Sequence, residues 1–183
     1  MAKKIKGKDW FTIIAPKIFN EKVLGETPAD DTKKLISRTI EVPYITLTND
    51  MSKFYIKVKF RITKVDNNKA YTEVAGMECL RDYLARMIRH GINRIDTIQR
   101  LKTQDGRNVA IKCITVTNKR VTKGIEKKIS DFVKKVIEKS VTESKLDDFL
   151  SKIFSDSLKN KILKEGSKIY PLRNFDVRRL EVR

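Results

Sequence analysis

The chain has 183 residues, of which 41 are lysine or arginine and 23 are aspartate or glutamate, giving a formal net charge of +18. A charge excess of this size disfavours the folded state unless a polyanion neutralises it, which makes nucleic acid the leading partner class. No apolar run approaches the roughly 20 residues that span a bilayer, and the start lacks a cleavable secretory pattern. The sequence therefore predicts a cytoplasmic protein with no membrane partner.

A basic tail is predicted over residues 1–9, followed by a single α+β domain over residues 10–183. The tail lysines either contact a phosphate backbone or stay solvated. They are Lys3, Lys4, Lys6 and Lys8. Within the domain we expect an antiparallel β-barrel body over about residues 10–118, a helical part over about 119–166 and a returning strand over 168–183.

The first elements after the tail are a strand and a helix start. Residues 10–15 are aromatic and β-branched, which predicts a strand that ends at Pro16. Residues 27–31 resemble the start of a helix. Thr27 can cap it, Pro28 suits its first position, and the acids that follow favour the positive end of the helix dipole.

Residues 53–64 alternate between apolar and polar side chains with the period of a strand. The apolar face comprises Phe54, Ile56, Val58, Phe60 and Ile62, and the opposite face comprises Tyr55, Lys57, Lys59 and Arg61. A turn at residues 66–69 and a second strand over 70–77 complete a hairpin with a positive outer face.

A second hairpin is predicted over residues 94–102 and 108–117. Asp105 and Gly106 form the turn dipeptide between the two β-rich runs. Several antiparallel strands at such short spacings favour a barrel or a closed sheet.

A helix is predicted between the two hairpins. Its apolar stripe runs from Leu80 to Ile88, and Gly91 is placed to end it. His90 falls in the predicted last turn, while the arginines of this segment lie off the stripe. These arginines are Arg81, Arg86 and Arg89.

The C-terminal third is predicted to be mainly helical. From Val121 onward an apolar stripe indicates a long amphipathic helix with a lysine-rich polar face. Ser144 opens an approximate capping box for a second helix, and residues 155–165 form a third. Residues 168–183 return to a strand-like composition.

The sequence offers little for catalysis or metal binding. Zinc sites need clustered cysteine and histidine ligands, whereas Cys79 and Cys113 are far apart and His90 is the only histidine. We expect both thiols to be reduced. Neither of the two glycine-rich phosphate-loop patterns occurs. A catalytic triad would have to use His90. Its neighbouring arginines favour the neutral imidazole and so weaken its activation by a carboxylate. We therefore predict a non-enzyme without cofactor or metal.

The basic residues are predicted to contact phosphates, because forked guanidinium groups suit bidentate contacts. The alternative is that these charges form solvated faces. RNA is favoured over DNA because no helix-turn-helix, zinc-finger or zipper pattern occurs. The predicted RNA-binding residues are Lys3, Lys4, Lys6, Lys8, Lys57, Lys59, Arg61, Arg81, Arg86, Arg89, His90, Arg94, Lys119, Arg120, Lys123, Arg173, Arg178 and Arg179.

Five stretches of the chain occur in the order and with the spacing of a known family: DWFTIIAPKIF, LGETPADD, AGMECLRDYLARMIRHGINRIDTIQ, TNKRV and KIYPLR. From about Trp10 to beyond Pro171, the chain resembles the archaeal and eukaryotic small-subunit ribosomal proteins called S-three-A-e, also named eukaryotic-type S-one. The resemblance implies a β-barrel body with helices. It also implies a place on the platform of the small subunit near the messenger exit, bound to ribosomal RNA near its 3′ end.

This resemblance supplies no catalytic residues, and the end at Arg183 without a longer extension indicates an archaeal-type member. The implied partners are small-subunit ribosomal RNA, neighbouring platform proteins and, as a further candidate, messenger RNA near the exit. The alternative function is a non-ribosomal RNA-binding, RNA-chaperone or protein-interaction module that uses the same basic surface. His90 is expected to stack on or hydrogen-bond to RNA, or to cap the carbonyls of its own helix.

Overall fold

The computed structural model describes residues 7–182, and the chain divides into two compact units between Met77 and Glu78. The described residues form eight β-strands and five α-helices, so the predicted α+β class is confirmed. The strands are β1 (Asp9–Ile14), β2 (Val23–Ala29), β3 (Thr39–Pro43), β4 (Ile56–Asp66), β5 (Lys69–Cys79), β6 (Arg94–Lys102), β7 (Asn108–Thr117) and β8 (Leu172–Val182). The helices are α1 (Tyr44–Thr48), α2 (Arg81–Met87), α3 (Lys123–Thr142), α4 (Leu146–Phe154) and α5 (Ser157–Gly166). The single domain over residues 10–183 stays a prediction.

The first unit is built on strands in the order β2-β1-β5-β4-β3. Strand β1 pairs antiparallel with β2 but parallel with β5, where Thr12 lies opposite Lys69. The outermost strands β2 and β3 do not pair with each other within residues 7–182. The predicted antiparallel barrel is therefore not confirmed, because the sheet does not close and one of its pairs is parallel.

The predicted helix start at residues 27–31 is wrong, because this segment ends strand β2. Pro28 lies opposite Trp10 of β1. Strand β2 is at the edge of the sheet, where a proline without an N–H group is tolerated. Thr27 caps no helix: Nη1 of Arg38 donates to Thr27 Oγ1 at 3.0 Å and to the Pro28 carbonyl at 3.1 Å.

Strand β4 confirms the predicted alternation from Ile56 onward. The alternate side chains from Ile56 to Ile62 are buried. The residues before the strand differ from the prediction, since Phe54 is 52% exposed and Tyr55 is 7% exposed. A short 3₁₀ turn, Met51–Lys53, precedes them, so the two-residue period of a strand does not apply there.

The second unit contains a three-stranded antiparallel sheet in the order β8-β7-β6. Both strands of the β6–β7 hairpin have the bounds that the sequence predicts. Helix α3 contacts β6, α5 contacts β8, and α4 packs on both helices. Fully buried side chains such as Ile129, Phe149 and Phe175 form the core of this unit.

Two local predictions in the second unit are corrected. Helix α2 ends at Met87 because Ile88 adopts an extended conformation, so His90 lies in a turn after the helix and not in its last turn. Ser144 does not cap α4. It is buried and accepts a hydrogen bond from Lys152, while the Leu146 N–H donates to Oδ2 of Asp105 at 3.0 Å.

Candidate nucleic-acid interface

One end of the sheet in the second unit is organised around Thr117, the last residue of β7. Its buried hydroxyl accepts a hydrogen bond from the Asn93 N–H at 3.1 Å and donates to the Lys119 carbonyl at 2.8 Å. Its own N–H donates to the Asn93 carbonyl at 3.1 Å. The next residue, Asn118, donates its N–H to the Pro171 carbonyl at 3.2 Å. The end of β7 therefore holds the starts of β6 and β8.

Hydrogen bonds also connect two helices, α3 and α2, to this end of the sheet. The Asn93 side-chain amide donates to the Val121 carbonyl at 3.4 Å and to the carboxylate of Glu126 in α3. The Asn174 amide donates to Sδ of Met87 at 2.8 Å, which brings the end of α2 to the start of β8. We call this region the basic end. Its exposed basic residues are Arg89, His90, Arg94, Lys119, Arg120, Lys123 and Arg173.

Most of the charge at the basic end is uncompensated. Arg94 binds Asp96 with two hydrogen bonds, from Nε at 2.9 Å and from Nη2 at 2.7 Å. The other members of the basic end form no ion pair within the described part of the chain. Since exposed charges act over a Debye length of roughly 8–10 Å, neighbouring cations at this end together favour a polyanion.

The outer face of β4 in the first unit carries a second basic group. Lys57 and Arg61 are exposed, as predicted from the alternation. Lys59 lies opposite Glu41 of β3, and its Nζ is 3.6 Å from the carboxylate. An exposed ion pair of this kind contributes little to stability, so Lys59 is available to exchange this partner for a phosphate.

The remaining predicted contacts are distributed over several elements. Arg81 and Arg86 are exposed on α2, and Lys8 is exposed before β1. Arg178 and Arg179 are exposed on β8, where Nε of Arg179 is 2.7 Å from the Glu181 carboxylate. Lys3, Lys4 and Lys6 lie outside the described residues. The structure therefore brings together the residues of the basic end but not the full predicted set.

His90 is exposed in the turn between α2 and β6. It makes no hydrogen bond to any residue from 7 to 182, so capping of the α2 carbonyls is not observed. Gly91 adopts a φ of +83°, a left-handed conformation in which glycine is strongly favoured. This turn directs the chain from α2 into Asn93 and places His90 beside the arginines of the basic end.

A buried polar cluster fixes the helices behind this end. Asp176 of β8 accepts hydrogen bonds from Lys159 Nζ at 3.0 Å, Tyr83 Oη at 3.1 Å and Asn174 Nδ2 at 3.2 Å. Burial raises the pKa of Asp176, and the nearby Lys159 ammonium only partly offsets this effect. Because Tyr83 is in α2 and Lys159 is in α5, the cluster connects both helices to β8.

Comparison with known proteins identifies the family. The model of the Ribosomal S3Ae family matches residues 1–183. The chain belongs to this family. It is 36% identical over 183 residues to the small ribosomal subunit protein eS1 of Methanopyrus kandleri, covering 98% of this chain and 87% of that relative. It is 34% identical over 179 residues to the protein of the same name from Sulfurisphaera tokodaii, covering 98% of this chain and 93% of the relative.

Family membership confirms the resemblance found in the sequence and the prediction that the chain is not an enzyme. As a member of the Ribosomal S3Ae family, it is a ribosomal protein with a structural role. Both cysteines are free and buried, and their reduced state stays a prediction. Within residues 7–182 no helix is long and apolar enough to cross a membrane, and no group of three metal-ligating side chains is present.

Sequence reasoning missed several residues that shape this S3Ae chain. Thr117 and Asn93 hold the basic end together, yet neither has a local sequence signal, because each acts on segments more than 20 residues away. Asp176 was also missed. Arg100 and Lys102 are exposed on β6, and the alternation of that strand could have identified them.

Proposed function

We propose that this protein is a structural component of the small ribosomal subunit that binds ribosomal RNA through its basic end. We place it on the platform near the messenger exit, close to the 3′ end of the ribosomal RNA. It would act in the cytoplasm, with neighbouring platform proteins as partners and messenger RNA near the exit as a further contact. The names of its relatives, small ribosomal subunit proteins from archaea, support the role in the small subunit.

The observation that carries the proposal is the convergence of basic segments on Thr117. Residues from the α2–β6 turn, the β7–α3 link, the start of α3 and the start of β8 lie at one end of the sheet, although they span positions 89 to 173. Each cation that neutralises a phosphate releases a condensed counterion, which favours binding. Because buried hydrogen bonds already order the backbone here, less conformational entropy is lost on association.

The outer face of β4 is a second candidate contact in the same proposal. Lys57, Lys59 and Arg61 are spaced two residues apart on one strand, so their side chains lie on one face at intervals of about 7 Å. This spacing is close to that of successive phosphates along a single strand of nucleic acid. The face therefore suits an extended stretch of RNA backbone.

A charge reversal tests the role of the basic end. The variant Lys119→Glu/Arg120→Glu should weaken binding to small-subunit RNA and reduce the slope of log affinity against log salt by roughly 1.5, the loss of about two phosphate contacts. The matched control is Lys135→Glu/Lys139→Glu, which makes the same change of charge on exposed residues of α3 that lie about 18 Å or more along the helix from Lys123. Equal losses in both variants would show that net charge alone matters and would contradict the proposed interface.

Sedimentation tests the cellular role. A native lysate is separated on a sucrose gradient, and the protein is quantified against small-subunit RNA before and after a high-salt wash. One copy per subunit that survives the wash is expected for an integral component. Substoichiometric and salt-labile association would instead favour a transient RNA-binding or RNA-chaperone module.

A further inference from the structure

The β6–β7 hairpin exposes one face of the sheet. In β6, Ile95 and Thr97 point to the helix-covered face and are buried. The alternate residues of β6 point to the opposite side, and directly opposed residues on β7 share their face. We call this surface the outer hairpin face. It consists of Ile98 opposite Lys112, Arg100 opposite Ala110, and Lys102 opposite Asn108.

This face combines an exposed aliphatic side chain with a depression. Ile98 is 62% exposed at the centre of β6. Beside it, the small side chain of Ala110 lies between Arg100 on one strand and Glu181 on the other. A depression of about 470 Å³ lies against residues 100–102 and 108–110, with all its lining residues from the hairpin. A single exposed isoleucine is ordinary on a protein surface, and Ile98 is not part of the lining of this depression, which begins two residues further along β6 at Arg100.

The cations of the outer hairpin face lack acidic partners. Arg100, Lys102 and Lys112 form no ion pair with any residue from 7 to 182. The acids Asp96 and Glu181, which flank this face, are already engaged, since Asp96 binds Arg94 and Glu181 binds Arg179, each at 2.7 Å. The face is therefore complementary to a ligand that carries negative charges around an apolar group.

We propose that the outer hairpin face binds an acidic segment of a partner protein. An apolar side chain of that segment packs against Ile98, and the segment continues across the depression at Ala110, where its carboxylates pair with Arg100 and Lys102. This inference goes beyond the proposed RNA contact and does not depend on it. The two surfaces are separate, because Arg94 and Lys102 mark opposite ends of β6, about 27 Å apart.

The composition of the face favours a protein over RNA. Unpaired RNA bases are recognised mainly by stacking on aromatic rings or guanidinium planes. None of the six residues of the outer hairpin face is aromatic, Arg100 supplies its one guanidinium plane, and its exposed large apolar side chain is the aliphatic Ile98. The buried core of a protein interface is apolar and its rim is polar, an arrangement that an exposed isoleucine beside cations can provide.

Photo-crosslinking in native small subunits tests the proposal. Benzoylphenylalanine is substituted for Ile98 in the full chain, and the crosslinked product is identified by mass spectrometry. The matched control carries the same group in place of Val23, which is 60% exposed in the first unit. We expect position 98 to crosslink to a segment rich in aspartate and glutamate that position 23 does not reach. RNA, a second copy of this chain, a segment without acids, or no product at all would overturn the proposal.

Charge reversal then tests the proposed contacts. Arg100→Glu/Lys102→Glu should abolish the crosslink at position 98, while Lys135→Glu/Lys139→Glu should leave it unchanged. A synthetic peptide of the crosslinked segment should bind the full chain, and Ile98→Asp should weaken that binding by about tenfold or more. Replacing the acids of the peptide by amides should weaken it similarly. A crosslink that survives the charge reversal, or a peptide whose affinity Ile98→Asp does not change, would contradict the inference whether or not the basic end binds RNA.

Discussion

The basic end depends on the hydroxyl of Thr117, which the substitution Thr117→Val removes at nearly constant volume. The hydroxyl accepts from the Asn93 N–H at 3.1 Å and donates to the Lys119 carbonyl at 2.8 Å, and Thr117 has an exposed fraction of 0%. Leaving a buried N–H unsatisfied costs about 1–3 kcal/mol. We therefore expect Thr117→Val to lower the free energy of unfolding by about 2 kcal/mol, which corresponds to roughly 4–8 °C in the melting temperature.

Thr115 provides a matched control two residues earlier on the same face of β7. It also has an exposed fraction of 0%, but its hydroxyl has no hydrogen-bond partner within the residues that the structure describes. Thr115→Val therefore removes a buried hydroxyl that forms no hydrogen bond there. The substitution should be neutral or stabilising by up to about 1 kcal/mol. The difference in stability between the two variants reports the hydrogen bonds of Thr117, because both substitutions replace a hydroxyl by a methyl group in the same strand.

Urea denaturation followed by circular dichroism measures both variants, and RNA affinity is measured on the folded proteins. Thr117→Val should also weaken RNA binding, since it loosens the connection between Asn93 and Lys119. Thr115→Val should bind RNA as the unmodified chain does. If the two variants were equally destabilised, the reasoning that assigns the loss to specific hydrogen bonds would be refuted.

Three further predictions concern other groups. Since burial raises the pKa of Asp176 above 3.8, the folded state holds this proton more tightly than the unfolded chain. Its contribution to stability therefore falls as pH rises from 3.8 through the folded pKa, and urea titrations at several pH values should show that Asp176→Asn removes this fall. Burial raises the pKa of Cys79 to about 12 and raises that of Cys113 as well, so iodoacetamide at about pH 8 should label neither thiol until denaturant is added. Gly91→Ala should cost about 1–2 kcal/mol because its φ is +83°, whereas Gly124→Ala, in α3 with open space around it, should stabilise by about 0.5–1 kcal/mol in the same unfolding assay.

The sequence by itself determined the elements whose signal is local. The bounds of β6 and β7 follow from two β-rich runs on either side of the Asp105-Gly106 turn, and the buried side chains from Ile56 to Ile62 follow from strict alternation. The apolar stripe after Val121 predicted α3 in the same way. These predictions succeed because the period of a strand or helix is set by backbone geometry within a few residues.

Only the tertiary structure decided which distant groups meet. Thr27 and Pro28 have the local chemistry of a helix start, yet pairing with β1 at an open sheet edge makes them part of a strand. Ser144 has the local chemistry of a cap, yet the carboxylate of Asp105, 41 positions away, binds the first N–H of α4. In both places, a long-range hydrogen-bond partner overrode a propensity worth about 1 kcal/mol or less.

The candidate interface shows the same division. Composition alone indicated a polyanionic partner, because net charge does not depend on the fold. Which basic residues act together depended on Thr117 and Asn93, whose buried hydrogen bonds join the ends of β6, β7 and β8 and the start of α3. Neither residue is charged, and apart from Lys119 their partners lie more than 20 residues away in the sequence. The net charge therefore follows from the composition of the chain, whereas hydrogen bonds of buried uncharged residues decide which of the charged side chains lie close together.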